Sequence, residues 1–419
     1  MIDPGRRSAS GFDPGAVIAN LRLLAERTGG PDGAARLAWT PIWEEARELA
    51  EEIAGEDFKA ERDRAGNLWF LPRARRGPLV VLGSHLDSVP NGGWLDGALG
   101  VLAGLEVARS LQAAASAAGL SLAVVDWADE EGARFGRSLF GSASFVGSLD
   151  PVQIERLTDK DGARAVDVLA GGGVDLGALG PADARLAEIV AYLELHIEQG
   201  PVLERASIDT CAVSGTVGIE RERLDFVGQP AHAGPTPMVG RRDAFLAAAE
   251  TALALEGMAL EAGGRVTTGR LELEPGVPTV VPGRASLFVD LRHGDAGELR
   301  RMRERALTTA EEAAKGRDCG VSREHIWGIE PREFDARLVA LAEQACQEAS
   351  GERHDAIESG ALHDAAEMAA KVPTAMVFCA SLRGLSHAPE EDSTDQALEL
   401  SLRAFHGLAS KTLDAGLSS

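Results

Sequence analysis

Three of the nine histidines, His85, His196 and His387, stand at the ends of strand-like segments with carboxylates close by. They lie in GSHLDSVPNGGWLDG (residues 83–97), LHIEQG and GLSHAPEE. Imidazole nitrogens and carboxylate oxygens are the donors of hydrolytic metal sites, which also keep positions open for water. One such histidine alone is more often structural or solvated, so the joint placement after separate strands carries the argument. Asp96, eleven residues after His85, is the candidate for a carboxylate shared by two ions. Asp87 is close enough to His85 to orient its imidazole, with a turn cap as the plainer reading. Glu130 and Glu131 are adjacent in DWADEEG, so their side chains diverge. One can ligate while the other faces a reacting water; an acidic turn is the competing reading. Arg292, at the end of RASLFVDLRH, can fix a substrate carboxylate by a bidentate contact or simply form a surface ion pair. His232, in the Gly/Pro-rich GQPAHAGPTPM, can polarise a carbonyl or serve only the turn.

Strand ends must deliver these groups. The apolar PLVVLG (78–83) leads into the first histidine loop, and the helical pattern GALGVLAGLEVARSL leaves it. Strand, polar loop and helix in succession is how α/β folds place sites at the carboxyl ends of strands. A second buried strand starts near Leu120. A third, EIVAYLELHIEQ, ends at His196, Glu198 and Gln199, and a fourth, VPTAMVFCA, precedes SLRGLSHAPEED, where the last segment ends as a loop. Upstream, helical periodicity begins near Ala16 and returns in PIWEEARELAEEIAG, where Pro41 suits a first turn. FKAERD and NLWFLP read as short strands around a turn at Arg64 to Gly66, and residues 150–186 as short helices and loops. HDAIESGALHD reads as a loop. After about Cys211 the pattern changes: the alternating VGIERERLDFVG opens a strand-helix-strand-strand-helix-strand order that closes with a strand near His325 to Ile329. The α/β character resumes at Phe334. The expected architecture is an α/β catalytic domain in two parts, 1–212 and 331–419, interrupted by an inserted α+β domain, 213–330. Gly92 and Gly93 are expected to bend the first loop so that Asp96 returns toward His85.

The 419 residues suffice for two domains with buried cores. A formal net charge of -23 repels polyphosphates and argues against nucleic-acid binding. Four scattered cysteines without a CxxC pair fit a reducing cytoplasm rather than a disulfide scaffold or thiolate knuckle. The opening MIDPGRRSASGFDPG has no apolar core of a secretory signal and reads as flexible, and no charge-free apolar stretch is long enough for a membrane span.

Taken in order, GSHLDSVPNGGWLDG, DEEGARFG, LHIEQGPVLE, GQPAHAGPTPM, VPGRASLFVDLRH and GLSHAPEE resemble the motifs of metal-dependent amidohydrolases of the hydantoinase/carbamoylase type, in the wider M20 metallopeptidase clan. The resemblance covers nearly the whole chain. It implies two divalent ions, with zinc first and manganese, cobalt or nickel as alternatives: one held by His85, Asp96 and His196, the other by Asp96, Glu131 and His387. It implies Glu130 as general base and Asp87 as the group orienting His85. Gln199, His232, Thr279, Arg292 and Gly360 become substrate contacts, with Arg292 on a carboxylate. The implied fold is a di-metal, phosphorylase/hydrolase-like α/β domain with a ferredoxin-like insertion. That insertion carries homodimerisation, and its His232 reaches the neighbouring subunit's site. The implied substrate is a small carboxylate-bearing ureido compound: an N-carbamoyl-L-amino acid or N-carbamoyl-β-alanine first, allantoate second. A peptide ranks third, because many peptidases of the clan carry an acid where this chain has His196. Three departures bear on substrate identity: Thr279 replaces the usual Asn, Pro235 the first Thr of GTTPM, and Leu362 the second Gly of GAGHD. A non-catalytic binding protein on this scaffold is the contrasting class, opposed by the filling of all five ligand positions and the base.

Overall fold

Leu79–His85, Ser121–Trp127, Ile189–Ile197 and Thr374–Cys379 are buried along their whole length, as strands covered on both faces must be. In the computed structural model, which describes residues 11–416, they run parallel in the order 121–127, 79–85, 189–197, 374–379 within a nine-stranded sheet. Antiparallel strands extend it: Thr210–Thr216 beside 374–379, and Leu68–Pro72 then Phe58–Arg62 beyond 121–127. Side chains alternate between two cores. Val80, Leu82, Val124, Leu193 and Val377 face the helices Pro14–Thr28, Pro41–Ala54, Ala98–Ala117, Ala336–Ser350 and Asp395–Asp414. Leu79, Val81, Val125, Tyr192 and Met376 face Phe145, Ala365 and Met368 on the other side. Because the four central strands are parallel, their carboxyl ends share one edge of the sheet, and His85, the 128–131 turn, His196 and the 380–391 loop all emerge there.

This sheet and its helices make one unit, the residues up to Gly215 with those from Glu333 onward; Thr216–Arg332 forms a second. The crossings fall there because strand 210–216 carries the first unit's sheet past residue 212. In the second unit, strands Gly218–Val227, Arg265–Glu274, Arg284–His293 and Gly320–Ile329 pair antiparallel in the order 265–274, 284–293, 218–227, 320–329. Helices Ala244–Ala262 and Ala296–Gly316 pack on one face, around Leu224, Phe226, Met258, Leu287, Val289 and Met302. Leaving aside the two-residue strands Ala231–His232 and Val280–Val281, which pair with each other, the element order is strand-helix-strand-strand-helix-strand.

Four elements differ from the sequence reading. Asp395–Asp414 is a helix, not the end of a loop; Leu398, Leu402, Phe405, Ala409 and Leu413 form its buried stripe, a helical period in plain view. Thr210–Thr216 is a strand whose small residues gave little signal. Ile357–Ser359 is a short strand within a segment read as loop. The last strand of the second unit begins at Gly320, with a register shift between His325 and Trp327. The opening stretch read as flexible lies mostly outside the described residues. Among the described residues, no helix is long and apolar enough to cross a membrane.

Candidate metal centre

Asp96 stands between two histidine groups. Its Oδ1 lies 3.2 Å from His196 Nε2 and 3.8 Å from His85 Nε2; its Oδ2 lies 3.4 Å from His387 Nε2. Glu131 Oε2 is 3.2 Å from His387 Nε2, and Glu130 Oε2 is 3.7 Å from His85 Nε2. The donor atoms of His85, Asp96 and His196 lie within 4.8 Å of one another, as do those of Asp96, Glu131 and His387. Asp96 Oδ1 and Glu131 Oε1 are buried without a hydrogen-bond partner. Buried carboxylate oxygens left bare cost several kcal/mol unless a cation or proton meets them. The donor set and these bare oxygens therefore fit a pair of divalent ions with Asp96 in common.

Backbone turns aim these groups. Gly97 has φ of 64°, and a Cβ there would lie 2.4 Å from ring atoms of His85, so only glycine lets Asp96 lie against that imidazole. The left-handed turns of the loop are at Asn91 (φ 57°) and Gly97, not at Gly92 and Gly93; Gly93 instead makes room for Glu391, whose carboxyl a Cβ would meet at 2.0 Å. Asp129, Gln199 and His387 also take positive φ, near 55–60°, where the chain turns out of the parallel strands. Asp87 acts differently from the expected orienting role. Its main-chain carbonyl, 3.0 Å away, takes the bond of His85 Nδ1, while its carboxylate accepts the amides of Glu130 and Glu131, both at 3.1 Å. The carboxylate Oδ1 itself is 3.7 Å from His85 Nδ1. His196 Nδ1 is held 2.9 Å from the Ile197 carbonyl.

The electrostatics are those of a site with too many acids. Burial, then Asp364, Glu131 and Asp87, push the Glu130 carboxyl well above its usual range. Burial, then Asp129 and Glu131, do the same to Asp87. Glu131 rises through burial and Asp96. Burial also opposes charge on Asp96, but His196 and His387 overcome it and hold that carboxyl well below its usual value. Burial would lower His196, yet Asp96 and Glu194 raise it to about 9; Asp96 and Glu131 raise His387 to about 11. His85 is pushed down to about 3 by burial and so stays neutral.

Of the residues singled out from sequence, His85, Asp87, Asp96, Glu130, Glu131, His196 and His387 come together here. Gln199 joins them, its Nε2 donating to Asp96 Oδ2 at 3.0 Å. Gly360 lies in a turn closed by the Ser359 hydroxyl, just before His363, whose ring stands 4.3 Å from that of His196. His232, Thr279 and Arg292 belong to the second unit. Ala233 donates to the Thr279 carbonyl at 2.9 Å and His232 pairs with Val280, so His232 and Thr279 are neighbours. Arg292 Nε contacts Asp290 at 2.7 Å on its own strand.

Several residues were not singled out. Glu391 and Ser386 stand against Asp96, beside Gln199. Arg36 is fully buried; its Nε donates to the Leu86 carbonyl at 2.7 Å, and Asp96 and Glu391 oppose the lowering that burial imposes on its pKa. Asp126 accepts the Leu86 amide and Arg47 Nε, both at 2.7 Å, in a pair with no exposure. Glu194, in the middle of a buried strand, accepts from Ser84, Tyr192 and Ala365. An acid inside the apolar run YLELHI was the one signal that could have found Glu194.

Peptidase family M20/M25/M40 matches residues 81–411, a span that contains His85, Asp96, Glu131, His196 and His387. The chain belongs to this family. It is 35% identical over 368 residues to an N-carbamoyl-L-amino acid amidohydrolase of Geobacillus stearothermophilus, covering 87% of this chain and 90% of that protein. It is 33% identical over 382 residues to an allantoate amidohydrolase of Escherichia coli, covering 90% and 92%. A crystal structure of a hydantoinase/carbamoylase family amidase from Burkholderia vietnamiensis superposes with a TM-score of 0.83 at 33% identity, over 99% of this chain and all of that one.

Proposed function

We propose that this M20-family chain is an amidohydrolase that cleaves a linear ureido bond, with an N-carbamoyl-L-amino acid or N-carbamoyl-β-alanine as its substrate. The observation that carries the reading is the pair of donor groups sharing Asp96 at the ends of four parallel strands, one group buried and the other open to solvent at His387. Relatives that hydrolyse N-carbamoyl-L-amino acids or allantoate, at 30–35% identity over most of the chain, support the bond type.

His85, Asp96 and His196 would hold one divalent ion, and Asp96, Glu131 and His387 the other. Zinc suits this set, with manganese, cobalt or nickel as alternatives. Two such ions supply Lewis acidity and lower the pKa of a bound water. Glu130, raised by burial and by neighbouring carboxylates, takes the proton of the attacking water. His232 donates to the carbamoyl oxygen as charge develops there. The proton on Glu130 then passes to the leaving nitrogen. The carbamic acid released by one water gives carbon dioxide and ammonia, leaving the free amino acid. Arg292 binds the substrate carboxylate, and Gln199, Thr279 and the Gly360 turn line the remainder.

The chain is further proposed to form a homodimer through its inserted, ferredoxin-like unit. Leu253 and Leu260 are 74% and 78% exposed, seven residues apart on one helix, and Arg265–Glu274 is an outer strand of its sheet. Four cysteines without disulfides fit a cytoplasmic setting.

Allantoate is the second reading, favoured by the Escherichia coli relative. A parallel assay of N-carbamoyl-L-amino acids, N-carbamoyl-β-alanine, allantoate and dipeptides, each with defined metals, tests both. The highest kcat/KM is expected on a carbamoyl amino acid. An allantoate preference installs the second reading, and turnover of dipeptides alone refutes both.

A further inference from the structure

Glu391 lies four residues past His387 and has no part in the chemistry described so far. Its side chain is buried, with the residue 1% exposed. Oε1 accepts the backbone amides of Leu95, at 3.2 Å, and Asp96, at 3.0 Å. Oε2 lies 2.8 Å from the Ser386 hydroxyl, which is also 3.1 Å from Asp96 Oδ2 and has one proton to give to either. The loop bearing Asp96 wraps closely enough on this carboxyl that Gly93 has no space for a Cβ. One side chain thus ties the loop that presents Asp96 to the loop that presents His387, although Glu391 and Asp96 are 295 residues apart along the chain.

We propose that Glu391 is a positioning residue that fixes the shared carboxylate of Asp96 relative to His387, and through that spacing sets the affinity of the ion on the His387 side. The inference rests on the reading that Asp96 bridges two ions. A bridging carboxylate must offer its oxygens in two directions at once. Here Oδ1 is turned toward His196 and Oδ2 toward His387, at 3.2 and 3.4 Å. The backbone amide of Asp96 is the nearest fixed point from which that orientation is held, and Glu391 holds the amide. The second contact, through Ser386, reaches Oδ2 itself. Outer groups that orient a ligand commonly change metal affinity or activity by about 10–100-fold when removed.

The test compares full-length wild type, Glu391→Gln and Glu391→Ala, each loaded with cobalt(II). Ions per chain are followed against graded chelator, together with the visible cobalt spectrum, kcat and KM. Glutamine keeps an oxygen for the two amides and loses only the acceptor for Ser386; alanine loses both contacts. The expected order of affinity for the ion on the His387 side is wild type, Gln, Ala, with a loss of about 10–100-fold in Ala. The ion held by His85, Asp96 and His196 is expected to stay within a few-fold, the cobalt spectrum of the His387 side to shift, and kcat to fall more than KM rises. Thermal melting of the metal-free proteins separates this from a structural role, which would lower the melt and leave chelator resistance unchanged. Wild-type affinity for both ions in both variants, or an equal loss of both ions, overturns the proposal while leaving the two-ion reading in place. A wild type that holds fewer than two ions overturns both.

Discussion

Replacing Asp87 by asparagine separates two jobs that a carboxylate in this position can do. In the structure the side chain serves the turn: its two oxygens accept the amides of Glu130 and Glu131 at 3.1 Å each, and it has no exposure. An asparagine can turn its oxygen to only one of those amides. Its NH2 then faces the other N–H, donor against donor, and a buried amide without an acceptor costs about 1–3 kcal/mol. An opposing effect must be weighed. Burial, Asp129 and Glu131 already push the Asp87 carboxyl well above its usual range, so a neutral side chain relieves repulsion. Bound cations screen that repulsion, whereas the lost acceptor is the same with or without them. Reconstituted Asp87→Asn is therefore expected to lose about 1–3 kcal/mol against wild type in urea unfolding. The metal-free variant is expected to lose less. The His85 Nδ1 contact runs to the main-chain carbonyl of residue 87 and survives the substitution. Equal urea midpoints for the reconstituted proteins would refute the turn-holding argument, and a larger loss in the metal-free protein would refute the balance of the two terms.

Glu130→Gln should keep both ions and lower kcat by roughly 10²–10⁴-fold, the usual worth of a general base; turnover within a few-fold of wild type removes that assignment. Gly97→Ala should cost at least about 1–2 kcal/mol from its left-handed φ alone, and its Cβ, 2.4 Å from the His85 ring, should displace that imidazole. Chelator titration that finds wild-type affinity in this variant contradicts the close packing. Metal uptake should release protons at neutral pH, because His196 and His387, raised to about 9 and about 11, are protonated in the metal-free protein, whereas His85, lowered to about 3, is already neutral. Apparent affinity should accordingly rise from pH 6 to pH 8. Calorimetry in buffers of different ionisation enthalpy reads the proton count, and uptake without proton release counters the argument.

The site was legible where burial had simplified the sequence. Strands covered on both faces become unbroken apolar runs, so a histidine or acid at the end of one stands out, as His85, Glu131 and His196 do. The helix stripe of Leu398, Leu402, Phe405 and Leu413 was equally legible, and a reading that stopped at the His387 loop passed over it. What the site leans on was not legible. Arg36 sits in GAARLAWT, which has neither helical nor strand period, yet its backbone and Nε bind Ser88 and Leu86 fifty residues away. Glu391 reaches Asp96 across most of the chain. Hydrogen bonds between distant loops leave no local pattern, because what they require is an acceptor in one place and a free N–H in another. Left-handed turns at Asp129, Gln199 and His387 are hidden for a related reason: residue type announces such a turn only when it is glycine. The loop glycines show the converse, since Gly93 is needed for space and not for its dihedral angles.

The two units differ in how their buried charges are balanced, and the difference bears on what holds each together. In the second unit acids that are buried or half-buried meet arginines: Asp290 pairs with Arg221 and Arg292, Asp225 with Arg223, and Glu222 with Arg303. In the first, Arg47 meets Asp126 in the same way beside the site, while acids of the candidate metal centre face histidines among the described residues. Asp87, Asp96, Glu130, Glu131 and Glu391 are gathered there, and the charge of buried Arg36 bears on Asp96, Glu391, Asp87 and Glu131. Protons can neutralise some of that excess: burial and neighbouring carboxylates raise Asp87, Glu130 and Glu131, and Asp96 helps to raise His196 and His387, whereas Asp96 itself and His85 move down. Divalent ions can do so without emptying the carboxylates of charge. Cation binding and the stability of the first unit are therefore expected to be linked, since an ion that binds only the folded site stabilises that fold by mass action. The second unit, with Asp225, Asp290 and Glu222 paired to arginines and a core of its own around Leu224, Met258 and Leu287, is expected to show no corresponding dependence.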